Sequence, residues 1–112
     1  MRILILEDEP IIAIDLEDIV IAANGADCTL AATVEEGMLS IDDGVDFAIL
    51  DVHLGFGGRT SFPVATMLQK RGIPFCFVSC SGMEMPGRYG HVPFVAKPFR
   101  PSEISRLLPV AA

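Results

Sequence analysis

Five short apolar runs constrain this chain more than any other feature: Arg2 to Leu6, Cys28 to Ala32, Phe47 to Leu50, Pro74 to Val78 and Val92 to Ala96. Each is too short for an ordinary helix and suits a strand buried on both faces. The stretches between them show helical spacing. Pro10 fits a first turn, and Ile12, Leu16, Ile19, Val20 and Ala23 recur along one face until Asn24-Gly25 supplies a stop. Val34 to Ile41 predicts a second helix with acidic residues near its start, closed by a turn at Asp42-Asp43-Gly44. Ser61 is placed to cap a third, with Pro63 in its first turn, Val64, Ala65 and Leu68 facing inward, and Arg71-Gly72 at its end. Pro101 or Ser102 opens a short last helix with Ile104, Leu107 and Leu108 on its apolar side.

Strands alternating with helices imply a five-stranded parallel sheet covered on both faces, a doubly wound α/β fold with right-handed crossovers. One segment resists the pattern. Cys80 to His91 carries Gly82, Pro86, Gly87 and Gly90, a composition that disfavours a stable helix where a fourth is expected.

A chain of 112 residues holds one compact domain, read here as 1–112 with no effector domain attached. The first apolar run is cut off by Glu7, Asp8 and Glu9, far short of the roughly 20 residues of a membrane span, and no cleavage site follows, so a cytoplasmic protein is expected. A formal charge of -7 with eight scattered Lys and Arg argues against a nucleic-acid partner. Cys28, Cys76 and Cys80 lack C-x-x-C spacing and read as buried structural thiols; His91 reads as structural too.

Chemistry in such a sheet gathers beyond the carboxyl ends of the strands, where strand order reverses. Four runs end there in polar groups: the first in Glu7-Asp8, the third in Asp51, the fourth in Ser79 and the fifth in Lys97. Three carboxylates held together raise one another's pKa unless a cation neutralises them, and an all-oxygen set suits a hard ion such as Mg²⁺. Lysine plus Mg²⁺ makes a pocket that welcomes a phosphoryl group, and a carboxylate beside it can attack phosphorus. The flexible Gly55-Phe-Gly-Gly58 follows Asp51.

With these residues in this order and spacing, nearly the whole chain resembles a response-regulator receiver domain of two-component signalling, of the flavodoxin-like fold and the single-domain type. Pro74-Phe-Cys-Phe77 is similar to a subgroup of single-domain receivers whose fourth strand runs Pro-Phe-x-Phe-Ala-Thr-Gly-Tyr, although Val78, Ser79, Cys80 and Ser81 depart from it. The resemblance implies that Asp51 accepts phosphate from a histidine kinase or histidine phosphotransfer protein in a phosphorelay. It implies that Asp8 and Asp51 bind Mg²⁺, or Mn²⁺ in its place, that Glu7 holds a metal-bound water, and that the backbone carbonyl of His53 completes the shell. Lys97 would pair with Asp51 and then with a phosphoryl oxygen. Ser79 would move toward the phosphoryl group and Phe94 would turn inward, switching a surface that binds a downstream protein. His53 and Ser81 would tune phosphate lifetime, and the chain would catalyse its own phosphorylation and dephosphorylation rather than turn over a substrate.

Rival readings remain at this level. A phosphate sink would drain the kinase without an output. A haloacid-dehalogenase-type hydrolase also uses a strand-end Asp with Mg²⁺ but needs a second Asp two residues on, where this chain has His53. A structural interaction module would have no use for Asp8, Asp51 and Lys97. For the single residues, the plain alternatives are a solvated acidic loop at 7–9, a turn serine at Ser79, a core residue at Phe94 and a rim residue at His53. A metal pair of Cys76 and Cys80 lacks further thiolate partners.

Overall fold

The computed structural model describes residues 1–55, 57–80 and 85–109. Five strands, β1 (Arg2–Leu6), β2 (Asp27–Ala31), β3 (Phe47–Asp51), β4 (Phe75–Cys80) and β5 (Phe94–Lys97), form one sheet in the order β2-β1-β3-β4-β5. All neighbouring pairs are parallel. The doubly wound α/β fold is therefore the one the sequence predicts. The chain steps outward from β1 to β2 and then returns to add β3 on the other side of β1, so strand order reverses between β1 and β3.

Among the described residues, four α-helices cover the sheet: α1 (Pro10–Asn24), α2 (Val34–Asp43), α3 (Phe62–Lys70) and α4 (Pro101–Ser105). Successive strand residues face opposite ways, and the two cores divide on that alternation. Leu4, Leu6, Ala48, Leu50, Phe75 and Phe77 face α2 and α3, whereas Ile3, Ile5, Ile49, Cys76, Val78 and Val95 face α1 and α4. All five residues of β3 are buried. Being sealed on both faces and both edges, β3 delivers its last residue to a fixed point. The edge strand β2 is largely exposed and needs no such uniform apolar run.

Helix ends follow local chemistry. Gly25, at φ 65°, closes α1 and donates its N–H to the Ile21 carbonyl at 2.9 Å. Thr33 caps α2 by accepting the Glu36 N–H at 3.1 Å, and the Glu36 carboxylate in turn accepts the Ala32 N–H at 3.2 Å. This pairing and the absence of a breaker between Ile41 and Gly44 carry α2 through Asp42 and Asp43, which the sequence places in a turn. On α1 Leu16, Ile19 and Val20 are buried with Ala13, while Ala23 is exposed in a cleft shared with Pro101, Ser102 and Ser105 of α4. Ser61 holds the N-cap position of α3 without making a cap bond; its hydroxyl is buried with no hydrogen-bond partner among the described residues.

The fourth strand runs two residues beyond Val78, so Ser79 is a strand residue and not the first of a loop. Pairing with β5 accounts for the extension, since Ser79 and Cys80 stand opposite Ala96 and Lys97. In the segment that reads poorly as a helix, the described residues hold a single 3₁₀ turn, Gly87–Tyr89. Tyr89 does what a helix face would have done. Its ring stacks on Phe62 at 5.3 Å and meets Phe77 edge-on at 5.5 Å, and its hydroxyl bonds the Thr66 hydroxyl at 2.8 Å and the Phe62 carbonyl at 3.2 Å.

Of the three thiols read as buried, only Cys76 is so; Cys28 lies on the open edge strand and is half-buried, and Cys80 is exposed at the end of β4, where the sheet meets solvent. His91 is exposed as well. Among the described residues, no helix is long and apolar enough to cross a membrane.

Candidate functional site

Strand register assembles the site. Leu6, Leu50, Phe77 and Phe94 form one row across β1, β3, β4 and β5, and Asp51, Val78 and Val95 form the next. Glu7 follows Leu6 directly, so it emerges beside Asp51 on the neighbouring strand. Lys97 stands two strands from Asp51 and reaches it with its long stem across the end of β4.

The geometry at this edge is close. Glu7, Asp8 and Asp51 each offer a carboxylate oxygen, and these oxygens lie within 4.8 Å of one another. The Lys97 ammonium donates to Glu7 Oε2 at 3.0 Å and to Asp51 Oδ2 at 3.2 Å. Glu7 Oε1 accepts the Glu9 N–H at 3.1 Å, and Asp8 Oδ2 accepts the Gly55 N–H at 2.9 Å. Ser79, which follows the Asp51 partner Val78 on β4, is buried, 2% exposed.

Burial of Glu7 and the negative charge of Asp51 push the Glu7 carboxyl up to about 7, against the opposing pull of Lys97 and the Glu9 N–H. Burial alone would lower the Lys97 pKa, but the bond to Glu7 and the charges of Asp51 and Glu7 outweigh it and hold the ammonium above the usual lysine value. One cation therefore fails to balance the acids around it. Three oxygen donors, surplus negative charge and no soft ligand among them fit a hard divalent cation of the Mg²⁺ type.

The raised Glu7 pKa has a measurable consequence in the metal-free protein. The folded state holds the Glu7 proton more tightly than the unfolded chain does, so this contribution to stability is fully present below pH 4.5 and is lost as pH rises to about 7. In chelator, melting temperatures of the native chain and of Glu7→Gln are expected to diverge across that window, the variant gaining on the native chain as pH rises. Parallel curves would show that Glu7 does not titrate there.

Four of the residues singled out by the sequence meet here, Glu7, Asp8, Asp51 and Lys97, and Ser79 lies on the neighbouring strand β4 one position past the residue paired with Asp51. Lys97 pairs with Asp51 as expected, and the structure adds a bond to Glu7 at a similar distance. No spacing rule signals that contact; it follows from β1 and β3 being neighbours. His53 is exposed at the rim and forms an antiparallel bridge with Thr60. The residues that flank the glycines read as flexible are thus bridged to each other, while Phe56 among those glycines lies outside the described residues. Phe94 is half-buried and packs against the cluster containing Phe77 and Tyr89, whereas Ser81 lies outside the described residues. Gly55 and Tyr89 escaped the sequence reading, Gly55 because it acts through its backbone and Tyr89 because its Gly- and Pro-rich surroundings carry no periodicity.

No family model matches the chain, and no curated protein sequence does. Solved structures do. SdrG from Sphingomonas melonis Fr1 is 37% identical, with 96% of this chain and 92% of that one aligned at a TM-score of 0.83. The BeF3-activated conformation of SdrG from Pseudomonas melonis Fr1 is 36% identical over 94% of this chain and 90% of its own, at a lower TM-score of 0.73. The PhyR response regulator REC domain of Erythrobacter litoralis shares 23% identity, covering 99% of this chain and 95% of its own at 0.76, a likeness of fold.

Proposed function

Because this chain belongs to the receiver domains of response regulators, we propose that it is a phosphoryl-accepting receiver of a two-component phosphorelay in which Asp51 is the acceptor. The observation that carries the reading is the placement of Asp51 at the strand-order reversal, within 4.8 Å of two further carboxylates and 3.2 Å from the Lys97 ammonium. Asp8 and Asp51 would hold Mg²⁺ directly, Glu7 through a water and His53 through its backbone carbonyl. Bound there, Mg²⁺ supplies positive charge that offsets the acids and attracts the phosphoryl oxygens.

The chain's own groups account for the remaining chemistry. An Asp51 oxygen forms a bond to phosphorus as the phosphorus–nitrogen bond of a donor phosphohistidine breaks, the electron pair leaving with the imidazole. The product is an acyl phosphate on Asp51. Lys97, already within reach of both Glu7 and Asp51, turns to a phosphoryl oxygen as charge builds on the transferred group. Ser79 donates its hydroxyl to another. Its motion strains the end of β4, and Phe94, packed on the Phe77 and Tyr89 cluster, moves to follow; the phosphorylated state thereby favours one of two arrangements of a protein-binding surface. His53, exposed two residues beyond Asp51, borders the path of an attacking water and tunes phosphate lifetime.

Beryllofluoride with Mg²⁺, which mimics an aspartyl phosphate, is expected to shift the amide resonances of Ser79 and Phe94 in a nitrogen-15 spectrum, and Mg²⁺ alone to move only those near Asp8 and Asp51. A spectrum unchanged by beryllofluoride would end this reading. The lifetime of the phosphorylated chain, together with a pull-down in the presence and absence of beryllofluoride, separates a relay with an output partner from a sink that only drains its kinase.

A further inference from the structure

We propose that Gly55 is a positioning residue for the cation site, its backbone N–H setting the orientation of Asp8; the inference rests on the metal-binding role of Asp8 given above. Asp8 is the least enclosed of the three acids, half-buried where Glu7 and Asp51 are buried. It lies past the end of β1, outside the ladder that fixes its neighbours, so something else must hold its side chain. Among the described residues, its carboxylate has one recorded hydrogen bond, from Gly55 at 2.9 Å across 47 positions of sequence.

The segment carrying that donor is built to hold it still. Val52 and Leu54 are buried and anchor the hairpin in the core, while His53 between them faces out and bridges Thr60. Leu54 N–H donates to the Arg59 carbonyl at 3.0 Å and Ser61 N–H to the Val52 carbonyl at 2.9 Å, closing the hairpin on itself. Leu54, buried and bonded to Arg59, fixes the peptide plane that carries the Gly55 N–H toward Asp8, and Gly55 then turns the chain away at φ 69°, a conformation that side chains resist. A donor fixed by the core thus restrains one oxygen of a carboxylate and leaves the other free. Bonds of this kind, from a group that does not touch the metal to a ligand that does, typically govern metal affinity by about 10–100-fold.

The test removes the N–H alone. In a chain assembled with glycolic acid in place of Gly55, an ester replaces the amide and neither side chain nor φ is disturbed. Titration with Mg²⁺ in the absence of any phosphoryl donor, read by calorimetry, is expected to show affinity about 10–100-fold below that of the native chain, with the chelator-treated melting temperature changed by little. Gly55→Ala, which keeps the N–H but strains the positive-φ turn beside it, should lose affinity too. Gly58→Ala, at φ 75° in the same hairpin, is the control and should retain more affinity than either.

Equal Mg²⁺ affinity in the ester and native chains would overturn the inference while leaving the metal site intact. Equal losses in the Gly58 and Gly55 variants would overturn it as well, by tracing the effect to the hairpin as a whole. A native chain that bound no Mg²⁺ would instead strike at the receiver chemistry itself.

Discussion

Asp51→Asn is expected to take up no phosphoryl group from an acyl-phosphate donor with Mg²⁺, where the native chain gains one, and to lose the beryllofluoride shifts at Ser79 and Phe94. The substitution keeps the shape of the side chain and removes the charge and the nucleophilic oxygen pair. Its effect should therefore be confined to chemistry. Asp51 also helps to push the Glu7 carboxyl up to about 7, so neutralising it relieves Glu7 and should leave the metal-free domain no less stable at neutral pH than the native chain. Intact-mass measurement after incubation with donor, paired with a melting curve, reads both effects. Labelling that survives in the variant would move the acceptor elsewhere, and a collapse of the fold would assign Asp51 a structural role.

Phe77→Ala is expected to have the largest effect on stability. Phe77 is fully buried in the middle of β4 and meets Phe62, Phe75 and Tyr89 edge-on, with ring centroids 6.0, 5.6 and 5.5 Å away. Truncation loses these contacts and opens a cavity between Phe62, Phe75 and Tyr89. The expected cost is about 3–5 kcal/mol, a large part of the roughly 5–15 kcal/mol that stabilises an ordinary domain. Urea melts should show it as a fall in midpoint, with Phe77→Leu losing less because it keeps most of the volume. A loss below about 1 kcal/mol would mean that the aromatic cluster repacks without Phe77.

Much of this architecture could be read from the chain because the central strands have only one way to be buried. β1 and β3 are covered on both faces and paired on both edges, and their uniform apolar runs announce that. β2 and β5 sit at the edges, and β4 is extended by its neighbour, so the boundaries of β2, β4 and β5 each shift by one to two residues from those that hydropathy suggests. Ser61 shows another limit: a capping residue in the right place declares a helix start but not a bond. Within the site, Asp51, Asp8 and Lys97 were legible as side chains at strand ends. The Glu7 bond to Lys97 and the Gly55 bond to Asp8 were not, since the first depends on strand adjacency and the second on a backbone group that every residue but proline possesses. Tyr89 was hidden for a different reason. It stands alone in a stretch without periodicity, and only the packing of Phe62 and Phe77 shows that the core requires it.

The two bonds of Lys97 carry a further meaning. A lysine gripped by one carboxylate would have to abandon it, at full electrostatic cost, before serving an incoming phosphoryl group. Lys97 is instead shared between Glu7 and Asp51 at nearly equal distance, so it can loosen from one while still held by the other. In the proposed transfer, Glu7 would tether the Lys97 ammonium at the mouth of the site while it turns from Asp51 to a phosphoryl oxygen.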